Sequence, residues 1–373
     1  MTEPTPEELV TRLAGGPPLT SHELEAIPAD QWEVVADRAA EHRLEPLLHF
    51  RFRTHTAVPE AIGKRWAEGY RAAAIAALAH KAELLRLATL FAEHGIASIA
   101  LKGSWLAWHV YPQAALRPLR DIDLLVLRKS ALEARALLIE RGWTEDDTDG
   151  LGAEEWLTRF KHLPPLVSQE GIVLELHTRL WDDDGRTPPQ PVGLFERAVR
   201  DAEHPALAYP APEDMLMHLA VHAAFHRFDG GPLMLVDFDR LAARVKFDWD
   251  AVWQRAEVEG WDRPLSLAIA ATRRWGSTGL VNVPALPLEP PAEVLDALPA
   301  LLAKPLEMRA SDIAAAKRAR SDVSLADKLR KALARRERFA TTREWLGWVR
   351  EQLAAKGEGR LETMAAMDAW LLG

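Results

Sequence analysis

Two aspartates, Asp121 and Asp123, stand two residues apart at the entrance to the apolar run Leu124 to Leu127. In an extended strand, residues i and i+2 project from one face, so this spacing sets two carboxylates side by side. They repel, and a cation would relieve that. Mg²⁺, or Mn²⁺ in its place, is the natural choice, because hard divalent ions take oxygen ligands and commonly arrive with nucleotide phosphates. Upstream, Ile96 to Leu101 is a short apolar run that reads as a strand and ends in Lys102-Gly103-Ser104. Gly103 permits a sharp turn into a helix expected over Trp105 to Tyr111, and a strand-to-helix turn of this kind can present backbone N–H groups to phosphate oxygens. Lys102 could reach a nucleotide phosphate. Arg117 and Arg120, just before the acidic strand, could hold a phosphate or pair with an aspartate.

A third carboxylate lies further along. The segment Ile172 to Leu180 alternates as a strand does, with Val173, Glu175, His177 and Arg179 on one face. Glu175 could help hold a metal or take the proton from an attacking hydroxyl, and its competing use is a salt bridge with Arg179. For His177 a hydrogen-bonded supporting role is the commoner use of a lone strand histidine. His218, His222 and His226 recur at four-residue steps on a helix expected over Pro212 to Phe228. Three such residues span about 12 Å along one helix, so at most a neighbouring pair could share an ion. Asp237-Phe238-Asp239 repeats the Asp-x-Asp spacing in a helical context, where the two carboxylates diverge by about 200°.

The ordered set Lys102-Gly103-Ser104, Tyr111, Arg117, Asp121-Ile122-Asp123-Leu124-Leu125-Val126 and Leu174-Glu175-Leu176-His177 resembles the nucleotidyltransferase superfamily that includes DNA polymerase β. In its fuller form it looks like a bacterial family of uncharacterised nucleotidyltransferases. The resemblance covers Ile96 to Trp181 well and the flanks loosely. It implies a metal-dependent transfer of a nucleoside monophosphate from a nucleoside triphosphate such as ATP, with release of pyrophosphate. Asp121, Asp123 and Glu175 would then be the catalytic and metal-holding carboxylates. Lys102, Gly103, Ser104 and Arg117 would bind the nucleotide, and His162, His177 and His222 are accessory candidates that the same resemblance suggests.

These residues need a small sheet to hold them and helices to wall it. The chain has 373 residues, 48% of them hydrophobic and 27% charged, an ordinary composition able to bury more than one core. The expected fold is α+β: an N-terminal helical region over residues 1–95, a catalytic domain with a small mixed sheet over 96–209, and a C-terminal helical region over 210–373. Helical spacing marks Thr5 to Ala14, Ser21 to Leu44 and Pro59 to Glu93, with Thr5 and Ser21 placed as N-caps. The Pro-rich connector Val283 to Pro291 divides the second half.

Cysteine is absent, which excludes a disulfide-linked partner, a thiolate metal site and a cysteine nucleophile. A polar, acidic start and the lack of a membrane-length apolar run make a cytoplasmic protein with no membrane partner the expectation. Net charge is −9 overall, yet Lys304 to Arg360 carries fifteen basic against eight acidic residues, a net +7. That stretch could meet an anionic partner, although interleaved acidic residues fit a solvated helix surface better. The acceptor of the transferred group could be a small molecule, a protein side chain or an RNA end. Two other readings stand beside transfer: a catalytically inactive nucleotidyltransferase-like binding or antitoxin module, and a metal-dependent phosphohydrolase built on the same carboxylates.

Overall fold

The computed structural model describes residues 4–16, 19–145, 151–276, 280, 283, 285–305 and 361–373. It opens with four helices, α1 Pro6–Ala14, α2 Ser21–Glu25, α3 Ala29–Glu41 and α4 Glu45–Phe52. Thr5 and Glu8 form a reciprocal capping box at α1, as Thr20 and Glu23 do at α2. The cap of α2 is therefore Thr20 rather than Ser21. Pro28 then separates α2 from α3, because its ring and missing N–H are tolerated only at a helix start.

The fifth helix, α5 Glu60–Glu93, runs unbroken for 34 residues, about 50 Å. Its first third buries Ile62 and Trp66 among the N-terminal helices, and its last third buries Leu84, Leu87 and Phe91 beneath the sheet. Between these ends Ile75 and Leu78, which sequence periodicity assigns to an apolar face, are 71% and 73% exposed. The helix spans two cores, and its middle belongs to neither.

The sheet has five strands in the order β1-β2-β5-β4-β3: β1 Ser98–Ala100, β2 Asp121–Val126, β3 Thr144–Glu145, β4 Leu166–Val167 and β5 Val173–His177. β2 pairs antiparallel with β1 and parallel with β5. Helix α6 Gly103–His109 connects β1 to β2, α7 Ala131–Glu140 follows β2, and α8 Ala153–Arg159 precedes β4. The mixed α+β architecture anticipated from the alternating apolar runs is present. The sequence around Phe160 to Leu166, set off by Pro164-Pro165 and Gly171, reads as a strand, but it forms a connection, bridged once to β5 between His162 and His177, before β4 begins at Leu166. A two-stranded pair, β6 Val199–Arg200 and β7 Ala208–Tyr209, has no counterpart in the sequence reading.

Alternation decides which side of the sheet does what. Ile122, Leu124 and Val126 of β2 and Leu174 and Leu176 of β5 pack onto α5 and α7 in one core. Burying each such side chain contributes about 1.5–3 kcal/mol. The opposite face carries Asp121, Asp123, Glu175 and His177, and over it lie α9 Pro212–Phe225 and α10 Leu233–Arg244.

Four more helices, α11 Trp249–Glu259, α12 Asp262–Trp275, α13 Ala292–Asp296 and α14 Leu298–Leu302, join the second, mainly helical core, which also takes in α1, α3 and α4 and, from the sheet, Ile99 of β1 and Leu125 of β2. Gly260, at φ +77°, ends α11 in the left-handed conformation and so divides a stretch that reads as one helix. The last helix, α15 Leu361–Leu372, is tied down through Asp368. It accepts hydrogen bonds from Arg227, just past α9, at 2.5 and 3.3 Å, and from Arg186, past β5, at 3.3 Å. Apart from Lys304 and Pro305, the basic stretch to Arg360 lies outside the described residues, as do Trp345 and Trp348. No helix among the described residues is long and apolar enough to cross a membrane.

Candidate active site

The parallel pairing of β2 with β5 sets Asp123 opposite Glu175 and Leu125 opposite His177. Neighbouring strands lie about 4.8 Å apart, so in-register side chains on one face meet. Here they do: ligand atoms of Asp123, Glu175 and His177 all fall within 4.8 Å of one another. His177 is fully buried, and its Nε2 stands 2.8 Å from Asp123 and 3.2 Å from Glu175. An Nε2–H between two carboxylates donates to both and fixes their mutual orientation. Asp121 shares their face one step up β2, and the aspartates lie along the wall of a cavity of about 710 Å³.

Lys102 closes the group from the other side. The Leu101 N–H donates to the Asp123 carbonyl at 3.0 Å, extending the β1–β2 ladder by one residue, and the Lys102 ammonium lies 3.1 Å from an Asp123 carboxylate oxygen. Lys102 has φ +47°, a conformation that side chains with a Cβ rarely adopt and that costs of order 1–3 kcal/mol. The sharp bend is thus at Lys102, not at Gly103. Gly103 is needed for a different reason, since a Cβ there would meet Leu119 Cδ2 at 2.5 Å. Ser104 is 2% exposed, sits behind the cavity wall, and donates its N–H to the Leu101 carbonyl. The open row of N–H groups expected of this turn is therefore largely spent inside the first turn of α6, where the Trp105 and Leu106 N–H groups both go to the Lys102 carbonyl.

Electrostatics separates the three carboxyls. Burial, then the nearby Asp123 and Glu175 charges, push Asp121 up to about 6. Burial acts on Asp123 too, but the Lys102 ammonium and the His177 hydrogen bond outweigh it and hold the group well below the ordinary range. At Glu175 burial is likewise overcome, by the His177 hydrogen bond and by His162, and the carboxyl sits at about 2. Arg179, which could have competed for Glu175, instead binds Asp183 at 2.5 Å and the Phe160 carbonyl at 2.8 Å.

Arg117 also reaches the cavity, but its charge is already matched. Its Nε donates to both oxygens of Asp237 on α10, and the Tyr111 hydroxyl donates to one of them at 2.7 Å. Asp237 thus lies in a helix, as its surroundings predict, and its work is to hold Arg117 rather than to repeat the acidic pair. Arg120 is exposed at the cavity rim. His162 lies 3.8 Å from Glu175 with its ring 5.2 Å from that of His177. On α9, His222 reaches the cavity and stacks on His226 at 4.4 Å, while His218 is wholly buried. None of these three belongs to a metal-holding group among the described residues.

Lys161 escaped the sequence reading. It lines the cavity from the connection before β4, its N–H bound to Asp182 at 2.7 Å and its carbonyl accepting from Thr178 at 2.8 Å. Its signal is tertiary: a basic residue in a connection means little until that connection is laid against β5.

A family model described as an uncharacterised nucleotidyltransferase matches residues 28–277, which is 250 of the 373 residues. The chain belongs to that family. The match runs from α3 through α12, taking in α9 and α10 over the site, well beyond the Ile96 to Trp181 core on which the motif resemblance rests. Sheet and helical walls of the nucleotidyltransferase are therefore parts of one family pattern, not a catalytic core with unrelated flanks. No curated protein and no solved structure matches the chain.

Proposed function

We propose that this nucleotidyltransferase moves a nucleoside monophosphate from a nucleoside triphosphate to a hydroxyl- or amino-bearing acceptor, releasing pyrophosphate. The observation that carries this reading is the in-register pair Asp123 and Glu175, with Asp121 on the same face, at the wall of the 710 Å³ cavity. That volume lies within the roughly 300–1,000 Å³ typical of small-molecule sites. The donor set suits a hard divalent cation: Asp123 and Glu175 bring carboxylate oxygens together beside His177, which orients both, and Asp121, outside that close group, adds a carboxylate from the same face of β2. Asp121, Asp123 and Glu175 would hold Mg²⁺ or Mn²⁺, which when bound would offset the negative charge that carboxylates and triphosphate share.

The remaining chemistry falls to the chain's own groups. Phosphoryl-type transfer depends chiefly on alignment and charge neutralisation. Lys102, beside Asp123, and Arg117, steadied by Asp237, face the cavity where the phosphates would lie. Gly103 keeps the wall low enough for Arg117 and Leu119 to close against it. The acceptor must lose a proton as it attacks phosphorus. A carboxylate of this set at the cavity wall would take it.

A specific observation favours a second reading, that of an inactive binding or antitoxin module: Asp123 is already satisfied by Lys102 and His177. One experiment separates the two. Purified protein is incubated with each α-labelled nucleoside triphosphate, Mg²⁺ or Mn²⁺, and a cell extract. Transfer predicts label on a small molecule, a protein or an RNA, lost in Asp123→Asn; a binding module leaves all label on nucleotide.

A further inference from the structure

The cations lining the cavity are not equivalent. Lys102 is paired with Asp123 and Arg117 with Asp237. Lys161 is 9% exposed, and among the described residues no carboxylate lies within ion-pair distance of its ammonium. Its backbone is clamped by Asp182 and Thr178, so the lysine is held in place while its side chain reaches the cavity wall. Around it stand Lys102, His162 and His226, while the Asp123, Glu175 and Asp182 carboxylates act on its ammonium only from beyond ion-pair distance. A buried ammonium with no carboxylate in contact is costly, and a fold retains one where an anion arrives to pair with it.

We propose that Lys161 binds the pyrophosphate half of the nucleoside triphosphate. This rests on the nucleotidyl-transfer reading and adds to it which residue receives the departing charge. In the step, a bond forms between the acceptor oxygen or nitrogen and the α-phosphorus as the bond from α-phosphorus to the α,β-bridging oxygen breaks. The electron pair stays on that oxygen, and the acceptor's proton passes to a carboxylate of the site. Charge therefore grows on pyrophosphate, where a fixed ammonium stabilises the transition state more than the ground state.

The test is titration calorimetry of the full chain with Mg²⁺, using inorganic pyrophosphate and each of the four nucleoside triphosphates, on wild type, Lys161→Met and Lys161→Arg. Loss of one charge-assisted contact should weaken pyrophosphate and triphosphate binding about ten- to a hundredfold in Lys161→Met, with most of it restored in Lys161→Arg. Lys161→Met should also melt no lower than wild type, because it removes an unpaired buried charge rather than a structural one. Unchanged pyrophosphate and triphosphate binding in Lys161→Met overturns the assignment and leaves nucleotidyl transfer standing. A melting temperature well below wild type in Lys161→Met overturns it in favour of a structural lysine. A wild type that binds neither pyrophosphate nor any triphosphate overturns both readings.

Discussion

Arg117 donates through Nε to both carboxylate oxygens of Asp237, at 2.8 and 3.0 Å, joining the loop before β2 to α10 across 120 residues of chain. Asp237 is almost entirely buried. Removing one partner of such a pair leaves the other charge uncompensated, at about 3–5 kcal/mol. Asp237→Ala should lower stability by that order in urea unfolding. The double substitution Arg117→Met with Asp237→Leu should recover much of it while still impairing nucleotide binding.

Gly103→Ala places a methyl group where Leu119 now packs, 2.5 Å from its Cδ2. Overpacking costs about 1–3 kcal/mol, and this case falls at the low end because the Leu119 methyl ends a half-buried side chain that can turn aside. The variant should unfold earlier and bind triphosphate less well. Leu119→Ala in the same chain should relieve the clash, so that the two changes together destabilise less than the sum of each alone.

Leu124 is fully buried between β1 and β5, on the side of the sheet away from the carboxylates. Leu124→Ala should cost about 2–5 kcal/mol through lost burial and the cavity left behind. Thermal unfolding measures it. Transfer activity per folded molecule should fall far less than in Asp123→Asn, since the carboxylates are on the other face.

His218 is fully buried, and neither ring nitrogen has a hydrogen-bond partner among the described residues. Burial, with the Lys102 charge adding to it, keeps its proton affinity well below the ordinary value of 6.5. The unfolded chain therefore binds a proton that the folded chain refuses. Stability is complete above pH 6.5 and is lost as pH falls below it, by up to about 1.4 kcal/mol per pH unit from this group. Urea unfolding at pH 7.5 and 5.0 should show the loss. His218→Leu should reduce it.

Much of this site is written locally. The Asp121-Ile122-Asp123 alternation and the Glu175, His177 alternation each place two polar groups on one face, and both faces are as the period of two requires. What local pattern cannot carry is register and distance. Nothing between Asp123 and Glu175 in sequence says that β2 and β5 are parallel neighbours, so His177 reads as a lone strand histidine until pairing brings it to Asp123. The Lys102 turn misleads for a related reason: glycine marks a place where a Cβ is unwelcome, but crowding by Leu119 and a positive φ leave the same letter. On α5 the periodicity of Ile75 and Leu78 is real, yet the helix outruns both cores and leaves those positions in water. Lys161 and Asp237 were hidden because their meaning depends on partners 21 and 120 residues away.

The clasp on Asp368 has a reach beyond α15. Of its two arginines, Arg227 follows the cavity-lining His226 at the end of α9, and Arg186 lies in the connection after the strand that carries Glu175 and His177. A single carboxylate on α15 thereby ties the end of the helix above the cavity to the connection after β5. Cutting the chain ahead of α15 would free both segments at once, and the damage would register first where α9 overhangs the cavity, as poorer capture of nucleotide, while the sheet beneath stayed folded.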